Sequence, residues 1–199
     1  MYSVTKCFGL NGLRGFAVAV EADVSGGLPA FSIVGLQDSA VRESADRVRA
    51  AIKNLGFKFP DRRITVNLAP ADVRKTGPVY DLPLLLAVLT ASGQLEDVPE
   101  DDAFLGELAM DGTLRPVSGV LPMALAAAEN GIRALYVPAE NAAEAAEAIG
   151  IGLQAFCIAG SVADDRKVGI GHGNLAARLL REETKCFAFL AGHESFVAA

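Results

Sequence analysis

Few side chains of this chain could do covalent or metal chemistry, and their spacing assembles no familiar site. The two histidines, His172 and His193, have no partner at the spacing of metal ligands or of a Ser–His–Asp triad. A nucleotide-binding P-loop needs a Gly-Lys dipeptide, whose backbone and ammonium hold phosphate, and Gly-Lys does not occur in the sequence. The glycine-rich stretch 169–173 follows no clear strand and is better interpreted as a loop than as a dinucleotide site. The sequence therefore predicts no ATPase site of its own.

The cysteines give no metal or disulfide framework. Cys7, Cys157 and Cys186 are odd in number, far apart, and form no C-x-x-C pair. We therefore expect buried, reduced thiols, and we predict no metal and no cofactor for this chain.

Charge is unevenly distributed along the sequence. Residues 38–75 contain nine Lys/Arg and five Asp/Glu, a net charge of +4, whereas residues 94–150 contain two Arg and eleven Asp/Glu, a net charge of −9. Such a split can orient a protein toward an anionic partner or toward another copy of itself. Solvated helix faces are the alternative interpretation, and the sequence leaves both open.

Four basic residues flank one predicted strand and the loop after it, where they could meet phosphates: Arg62, Arg63, Arg74 and Lys75. They are the candidate DNA contacts. No aromatic side chain stands among them at stacking spacing, so the sequence does not support stacking on single-stranded bases.

Composition places the chain among globular proteins. It has 199 residues, of which 51% are hydrophobic and 21% charged. The first residues lack the cationic and apolar regions of a signal peptide. The longest apolar run, residues 82–89, is far shorter than the about 20 residues that a membrane span needs. We expect a cytoplasmic protein without membrane contact.

Periodicity predicts alternating strands and helices. A period of two over residues 16–22 and turns at 11–15 and 25–27 predict three N-terminal strands (4–10, 16–22 and 31–34) in an antiparallel meander. Asp38 is the predicted N-cap of an amphipathic helix that ends before Gly56. The further predicted strands are 64–68, 104–109, 114–117, 134–137 and 153–158, and the further helices are 82–92 (capped by Asp81), 119–130, 141–149 and 174–183.

Strands followed by repeated helix–strand units favour an α/β fold, an α+β two-layer sandwich with a mixed sheet and helices on one face. We place a domain boundary near residue 158. Residues 1–158 form the predicted domain, and residues 159–199 form an atypical tail that is weakly patterned and is expected to be partly disordered.

Part of the sequence resembles the proteolytic domain of Lon. The resemblance is carried by segments 77–81 (Gly-Pro-Val-Tyr-Asp), 112–121 (Gly-Thr-Leu-Arg-Pro-Val-Ser-Gly-Val-Leu), 131–132 (Gly-Ile) and 137–141 (Val-Pro-Ala-Glu-Asn). In Lon the first segment carries a nucleophilic serine, and a later segment carries the lysine that serves as its base.

The resemblance puts Val79 at the serine position and Leu121 at the lysine position. Neither side chain is a nucleophile or a base, so both positions of the dyad are vacant. Ser118 and Lys75 lie near in sequence but on different turns, and a dyad rebuilt from them is the less favoured alternative. The sequence predicts no peptidase.

A closer resemblance, over residues 1 to about 150, is to the N-terminal domain of the ComM/YifB proteins, which are magnesium-chelatase-like AAA+ ATPases. Its motifs include Val-Gly-Leu-Gln-Asp (34–38), Asn-Leu-Ala-Pro-Ala-Asp (67–72), Lys-Thr-Gly-Pro (75–78), Asp-Leu-Pro (81–83) and Leu-Arg-Pro-Val (114–117). The residues to which we assign a structural role within this pattern are Gly35, Asp38, Asn67, Pro70, Gly77, Pro78, Asp81, Gly112, Pro116 and Gly119.

This resemblance implies a ribosomal-protein-S5-domain-2-like fold, shared with Lon, and a non-catalytic module that serves oligomer assembly and DNA contact. In the family an ATPase module with ATP and magnesium follows, and the hexameric protein drives branch migration of DNA in natural transformation. The partners implied are another copy, a full-length relative, or DNA. A stand-alone interaction protein and the remnant of a broken gene are the alternatives.

Overall fold

A seven-stranded mixed sheet forms the centre of the protein. The computed structural model describes residues 1–148 and the backbone of residues 154–158. The strands are β1 (Tyr2–Asn11), β2 (Arg14–Ser25), β3 (Ala30–Val34), β4 (Arg63–Ala69), β5 (Asp102–Phe104), β6 (Glu107–Leu108), β7 (Leu114–Arg115), β8 (Ala134–Pro138) and β9 (Gln154–Ile158). The helices are α1 (Ser39–Asn54), α2 (Asp81–Ala91), α3 (Val120–Glu129) and α4 (Ala142–Ala146). The strand order is β3-β4-β2-β1-β5-β8-β9, with β6 and β7 in a separate pair, and the α/β class with a mixed sheet is confirmed.

The β1–β2 hairpin has one buried face, which is part of the inner face of the sheet. Its two strands pair antiparallel without interruption from Tyr2↔Asp23 to Asn11↔Arg14. Ser3, Thr5 and Cys7 are buried on one face, and their cross-strand partners Ala22, Val20 and Val18 are buried with them. Cys7 is a free buried thiol, as expected.

The third strand is not part of a meander. β3 pairs in parallel with β4, and β4 lies between β3 and β2. A parallel neighbour cannot be reached by a short turn, so the chain crosses over through α1 before β4 returns beside β3. The Ser25–Gly27 turn signal therefore marks a bend between strands that do not pair, and the meander prediction is wrong.

Helix α1 forms where its apolar stripe predicts it. Asp38 caps it by accepting a hydrogen bond from the Val41 amide at 2.9 Å. The stripe side chains Val41, Val48 and Ile52 are fully buried. Gly56 ends the helix with a φ of 73°, the left-handed conformation that glycine adopts without strain.

Helix α2 lies in the centre of the core. All eleven of its residues are buried, so it has no solvent-facing side. It packs on the inner face of the sheet, where the Ser3 hydroxyl donates to the Ala87 carbonyl at 2.7 Å. Asp81 is the first residue of α2 rather than its cap, and its carboxylate is directed to other elements.

Helices cover both faces of the sheet rather than one. Gly15 lies on the face opposite Ser3, and a side chain at this position would meet the Pro122 carbonyl oxygen of α3 at 2.3 Å. Helix α3 therefore packs closely on the outer face at the end of the β1–β2 hairpin. The expectation of helices on one face holds for α1 and α2 and is wrong for α3.

The strand predicted over residues 104–109 divides into two pieces. The Leu105 amide still donates to the Tyr136 carbonyl of β8, at 2.9 Å. The next amide, of Gly106, donates instead to the Val79 carbonyl at 3.1 Å, and the chain leaves the sheet. Glu107 and Leu108 then pair with Arg115 and Leu114 as β6 and β7.

The remaining predictions for the tail lie outside the described residues. These are the helix over 174–183, both histidines and Cys186; of Cys157 only the backbone, in β9, is described. Within the part of the chain that is described, no helix is long and apolar enough to cross a membrane.

Asp102 gives the domain a predictable pH response. This carboxyl group is 7% exposed at the start of β5. Burial, and then the charge of Asp101, raise its pKa to about 6, whereas the Tyr136 hydroxyl and Arg133 oppose the rise. Because the folded protein binds this proton more tightly than the unfolded chain, the free energy of unfolding gains a contribution as pH falls from about 7 to about 4.

We expect Asp102→Asn to raise the free energy of unfolding at pH 7.5 by about 1–2 kcal/mol, because no charge is then buried. The gain should fall to about a third of that value at pH 4.5, where the folded protein has bound the proton but most unfolded chains have not. Urea denaturation at both pH values tests this, with Asp46→Asn as the control, since Asp46 is exposed on α1 and is not among the groups that shift the pKa of Asp102. An Asp102→Asn variant that keeps the pH dependence of the parent would contradict the assignment.

Candidate functional site

A cleft lies where the carboxyl end of β1 meets two connecting segments. It has a volume of about 380 Å³. One wall is the segment 76–79, which enters α2, and the other is the segment 116–118, which precedes α3. The lining residues are Leu10, Thr76, Gly77, Pro78, Val79, Glu107, Pro116, Val117, Ser118 and Met123.

Asp38 fixes the first wall to helix α1. Its Oδ1 accepts from the Val41 amide at 2.9 Å, and its Oδ2 accepts from the Gly77 amide at 3.2 Å. The Asp38 amide in turn donates to the Lys75 carbonyl at 3.0 Å. Gly77 has a φ of 80°, a conformation that favours glycine, and the chain then turns into the single 3-10 turn Pro78–Tyr80.

Asp81 joins three elements behind this wall. Its fully buried carboxylate receives two hydrogen bonds from the Arg47 guanidinium of α1, at 2.6 and 3.1 Å, and one from the Leu108 amide of β6, at 3.1 Å. The hydrogen bond to Asp81 raises the pKa of Arg47 above its ordinary value. This bidentate geometry is the strong form of an arginine–carboxylate pair, and it holds α1, α2 and β6 together.

The second wall is held by a side chain from the start of α4. The buried amide of Asn141 accepts from the Val117 N–H at 2.9 Å and donates to the Val117 carbonyl at 2.8 Å, as a neighbouring strand would. Gly119 follows with a φ of 76°, and the Leu10 side chain occupies the space where a Cβ would lie, 2.3 Å away.

Val79 and Leu121, the two vacant dyad positions, lie in different environments. Val79 is 6% exposed and lines the cleft, so the position that the sequence resemblance assigns to the serine of Lon is in the cleft. Leu121 is half-buried in the first turn of α3, where its amide donates to Glu144 at 2.9 Å. Leu121 is not among the lining residues, and neither side chain can act as a nucleophile or base.

The structure does not bring Ser118 and Lys75 together. Ser118 lines the cleft, whereas Lys75 is fully buried and donates to the Pro70 carbonyl. Burial lowers the pKa of Lys75, and the nearby Asp72 carboxylate partly offsets this. Burial also raises the pKa of the neighbouring Cys7 thiol, which lies close enough to interact with Lys75.

The cleft is lined mainly by uncharged side chains. Glu107 is its one ionisable side chain among the described residues, and it faces Arg115 at 3.5 Å. The hydroxyls of Thr76 and Ser118 have no base beside them among the lining residues. No three His, Cys, Asp or Glu side chains in the described chain are grouped to hold a metal ion.

The candidate DNA contacts are spread over two ends of β4. Arg62 and Arg63 are exposed where the strand begins, and Arg74 is exposed in the loop after it ends. Six residue steps of strand, about 20 Å, separate these two ends. The burial of Lys75 corrects its assignment as a contact. DNA binding stays a prediction that rests on separated arginines.

Several residues of the family-like pattern have structural roles. Gly35 has a φ of 110°, and a Cβ there would lie 2.3 Å from the Leu68 carbonyl oxygen. Asn67 donates to Glu21 across β4 and β2 at 2.8 Å. Gly112 has a φ of 90° and packs against Leu55. The sequence did not indicate Arg47 as the partner of Asp81, because the two lie 34 positions apart.

Comparison with known proteins identifies the family. A family profile described as "Subunit ChlI of Mg-chelatase" matches residues 20–141, more than half of the chain. The chain belongs to this Mg-chelatase ChlI family. A second profile, "GGGtGRT protein", matches residues 122–199, a smaller part.

The relatives of this ChlI-family chain include ComM/YifB proteins. It is 45% identical to competence protein ComM of Haemophilus influenzae over 67% of the chain and 26% of ComM. It is 42% identical to YifB of Escherichia coli over 73% of the chain and 30% of YifB. An uncharacterised protein of Mycobacterium tuberculosis is 42% identical over 88% of the chain and 34% of its own length.

The Lon relationship is also present, at lower identity. Lon protease of Mycolicibacterium smegmatis is 30% identical over 66% of the chain and 18% of the protease. The resemblance to ComM/YifB and to Lon is thus confirmed. The chain spans about a third or less of the length of the curated relatives named here.

Proposed function

We propose that this chain is a non-catalytic assembly module of a ComM/YifB-like protein. Copies associate head to tail through oppositely charged edges of the sheet. For the longer protein we propose ATP-dependent branch migration of DNA in the cytoplasm, with ATP and magnesium bound outside residues 1–158. The name of the relative ComM, a competence protein, supports a role connected with competence.

The observation that carries this proposal is the position of the two charged segments in the sheet. Helix α1 and strand β4 belong to the basic segment and lie at the β3 edge. Strands β5 and β8 belong to the acidic segment and lie toward the β9 edge. With about 4.8 Å between neighbouring strands, β4 and β8 are about 19 Å apart.

Most of these charged side chains are exposed. The exposed cations of the basic segment are Arg42, Arg49, Lys53, Lys58, Arg62, Arg63 and Arg74. The exposed carboxylates of the acidic segment are Glu96, Asp97, Glu100, Asp111, Glu129, Glu140 and Glu147. Of these, Glu140 and Glu147 lie toward the β9 edge, whereas Asp111 lies beside α1, where the Asn54 side chain donates to the Met110 carbonyl at 2.7 Å. The five carboxylates of the basic segment are also exposed or partly so, which moderates but does not remove its positive charge.

Opposite charges at opposite edges favour a heterologous contact. The acidic edge of one copy then meets the basic edge of the next, and repetition of that contact gives a closed ring or an open filament. The Coulomb attraction between exposed groups is screened over about 10 Å at 0.1 M salt, so association should weaken as salt is added. The cleft supports the non-catalytic part of the proposal, because Val79 occupies the position equivalent to the serine of Lon.

We expect charge reversal at either edge to abolish association, and a mixture of the two variants to restore it. The first variant combines Arg42→Glu with Lys53→Glu, and the second combines Glu140→Lys with Glu147→Lys, two exposed carboxylates toward the β9 edge. Each variant alone presents like charges on both edges, whereas the mixture offers one acidic and one basic edge to each other. Sedimentation velocity at about 50 mM and about 500 mM salt measures the complexes.

Arg14→Glu is the matched control, because Arg14 is exposed at the start of β2 beside the hairpin turn, away from both charged segments. It should leave association unchanged. A chain that is monomeric at low salt, or a mixture that associates no better than its components, would overturn the head-to-tail proposal.

A further inference from the structure

A groove that no described residue fills lies beside α3 on the outer face of the sheet, at the point where β4 ends. Its volume is about 350 Å³. We infer that residues 174–183 of the same chain, which the sequence predicts as a helix, dock in this groove and place another helix beside α3. This intramolecular contact uses neither charged edge and goes beyond the assembly proposed above.

The floor of the groove is made of small side chains. Ala17 and Ala19 of β2 and Ala69 of β4 line it. They belong to the outer face, because they alternate with the buried inward-facing residues of the same strands. Asn130 and Ile132, which directly follow α3, form one wall. A floor of alanines leaves room for the larger apolar side chains of a helix that packs on it.

Residues 174–183 have a sequence that suits such a groove, Asn-Leu-Ala-Ala-Arg-Leu-Leu-Arg-Glu-Glu. At about 100° per residue, Leu175, Leu179 and Leu180 fall on one apolar stripe of the predicted helix. Arg178 and Arg181 flank this stripe, one on each side. A helix of ten residues is about 15 Å long and about 10 Å wide, which matches five residues of strand and two strand spacings. One short helix therefore needs no more surface than the open part of this face offers.

The charges beside the groove complement those of the segment. Glu21 and Asp23 follow Ala19 at alternate positions of β2, so both carboxylates project from the outer face. Glu21 is partly exposed, and the side chain of Asp23 is 50% exposed. An arginine beside the leucine stripe can extend its guanidinium to these carboxylates while its stem lies against the sheet. The same carboxylates oppose binding of nucleic acid, whose phosphates are negative.

The segment is long enough to reach the groove from the last described strand. Strand β9 ends at Ile158 and lies four strand spacings from β2, about 19 Å across the sheet. The fifteen residues 159–173 can span up to about 50 Å when extended. Because the segment is tethered, its effective concentration at the groove is in the millimolar range, so a contact of small area is sufficient.

Hydrogen–deuterium exchange of the full chain, read by mass spectrometry, tests this inference. We expect the amides of residues 175–183 to exchange at least about tenfold more slowly than those of a free peptide of the same sequence. Ala19→Arg fills the floor of the groove with a long charged side chain, so it should return the segment to the exchange rate of the free peptide. Ala50→Arg is the matched control, because Ala50 is also partly exposed but lies on α1, which packs on the opposite face.

A charge swap tests the contact between the segment and the carboxylates. Glu21→Arg and Arg178→Glu each place like charges together, so each alone should reduce the protection of residues 175–183 at least about threefold. The double variant restores an opposite pair and should recover most of the protection. Circular dichroism and thermal melting of every variant establish that each is folded.

Three outcomes would overturn the inference. The first is exchange of residues 175–183 in the parent chain at the rate of the free peptide. The second is protection that Ala19→Arg leaves in place, since the segment would then pack elsewhere. The third is protection that disappears on dilution from about 50 µM to about 1 µM, since another copy would then supply the segment. Loss of the head-to-tail contact alone would leave the protection unchanged.

Discussion

Replacement of Asp81 by alanine is expected to lower the free energy of unfolding by about 3–5 kcal/mol, the effect of removing one member of a buried ion pair. The carboxylate is fully buried and receives two bonds from Arg47 and one from the Leu108 amide. Its loss leaves a partly buried guanidinium and a buried amide without their main acceptor. Urea or guanidinium denaturation of the variant and the parent measures the difference.

An exposed pair in the same domain gives the matched control. Asp101 and Arg133 approach to 3.1 Å, but their side chains are 40% and 80% exposed. Asp101→Ala should therefore change the free energy of unfolding by less than about 1 kcal/mol. If Asp81→Ala were as mild as Asp101→Ala, the assignment of Asp81 as the residue that joins α1, α2 and β6 would be wrong.

Gly35→Ala is expected to be comparably severe, at about 3 kcal/mol or more. Two independent penalties act at this position. The φ of 110° is one that residues with a Cβ rarely adopt, and the new Cβ would lie 2.3 Å from the Leu68 carbonyl oxygen. Because that oxygen belongs to the backbone of β4, the sheet itself must move to make room.

Gly12→Ala separates these two penalties. Gly12 has a φ of 63° in the exposed hairpin turn, with no atom within 4 Å of a built Cβ. Its replacement should cost only the backbone strain, about 1 kcal/mol. Thermal denaturation of the two variants should therefore differ clearly, and equal melting temperatures would mean that the close approach at Gly35 carries no energetic weight.

The local sequence was sufficient to predict those helices and strands whose pattern and end signals lie within their own residues. The stripe of Val41, Val48 and Ile52, with Asp38 before it and Gly56 after it, predicts α1 almost to the residue. The alternation over residues 16–22 likewise predicts β2. In both cases a periodic face and a capping or turn residue lie within one stretch of sequence, so no distant partner is needed.

Pairing between distant strands could not be predicted in this way. The glycines after Ser25 suggest a hairpin, but β3 finds its partner in β4, about thirty residues later. The break at Gly106 depends on the Val79 carbonyl, which belongs to another loop. Neither the β3–β4 pairing nor the break at Gly106 can be recognised in the local sequence, because contacts with distant residues override local preference.

The candidate site, too, could be predicted from the sequence only in part. The vacancy at Val79 could be predicted from the resemblance, and the structure places Val79 in the cleft. The burial of Lys75 could not be predicted, because its neighbours Arg74 and Thr76 are exposed and the local sequence is typical of a basic surface loop. Only the packing of this loop over Cys7, with the ammonium bonded to Pro70, removes Lys75 from solvent.

The central position of β1 has a consequence for synthesis of the protein. β1 is synthesised before the other strands of this domain and can pair with β2 at once, but its other edge remains unpaired until β5 is made, whose residues begin about ninety positions after β1 ends. Until residue 104 is made, a central strand has a free edge and α2 has an uncovered apolar side. Nascent chains with such edges are prone to aggregate, so this domain should depend on chaperones during translation more than its size suggests.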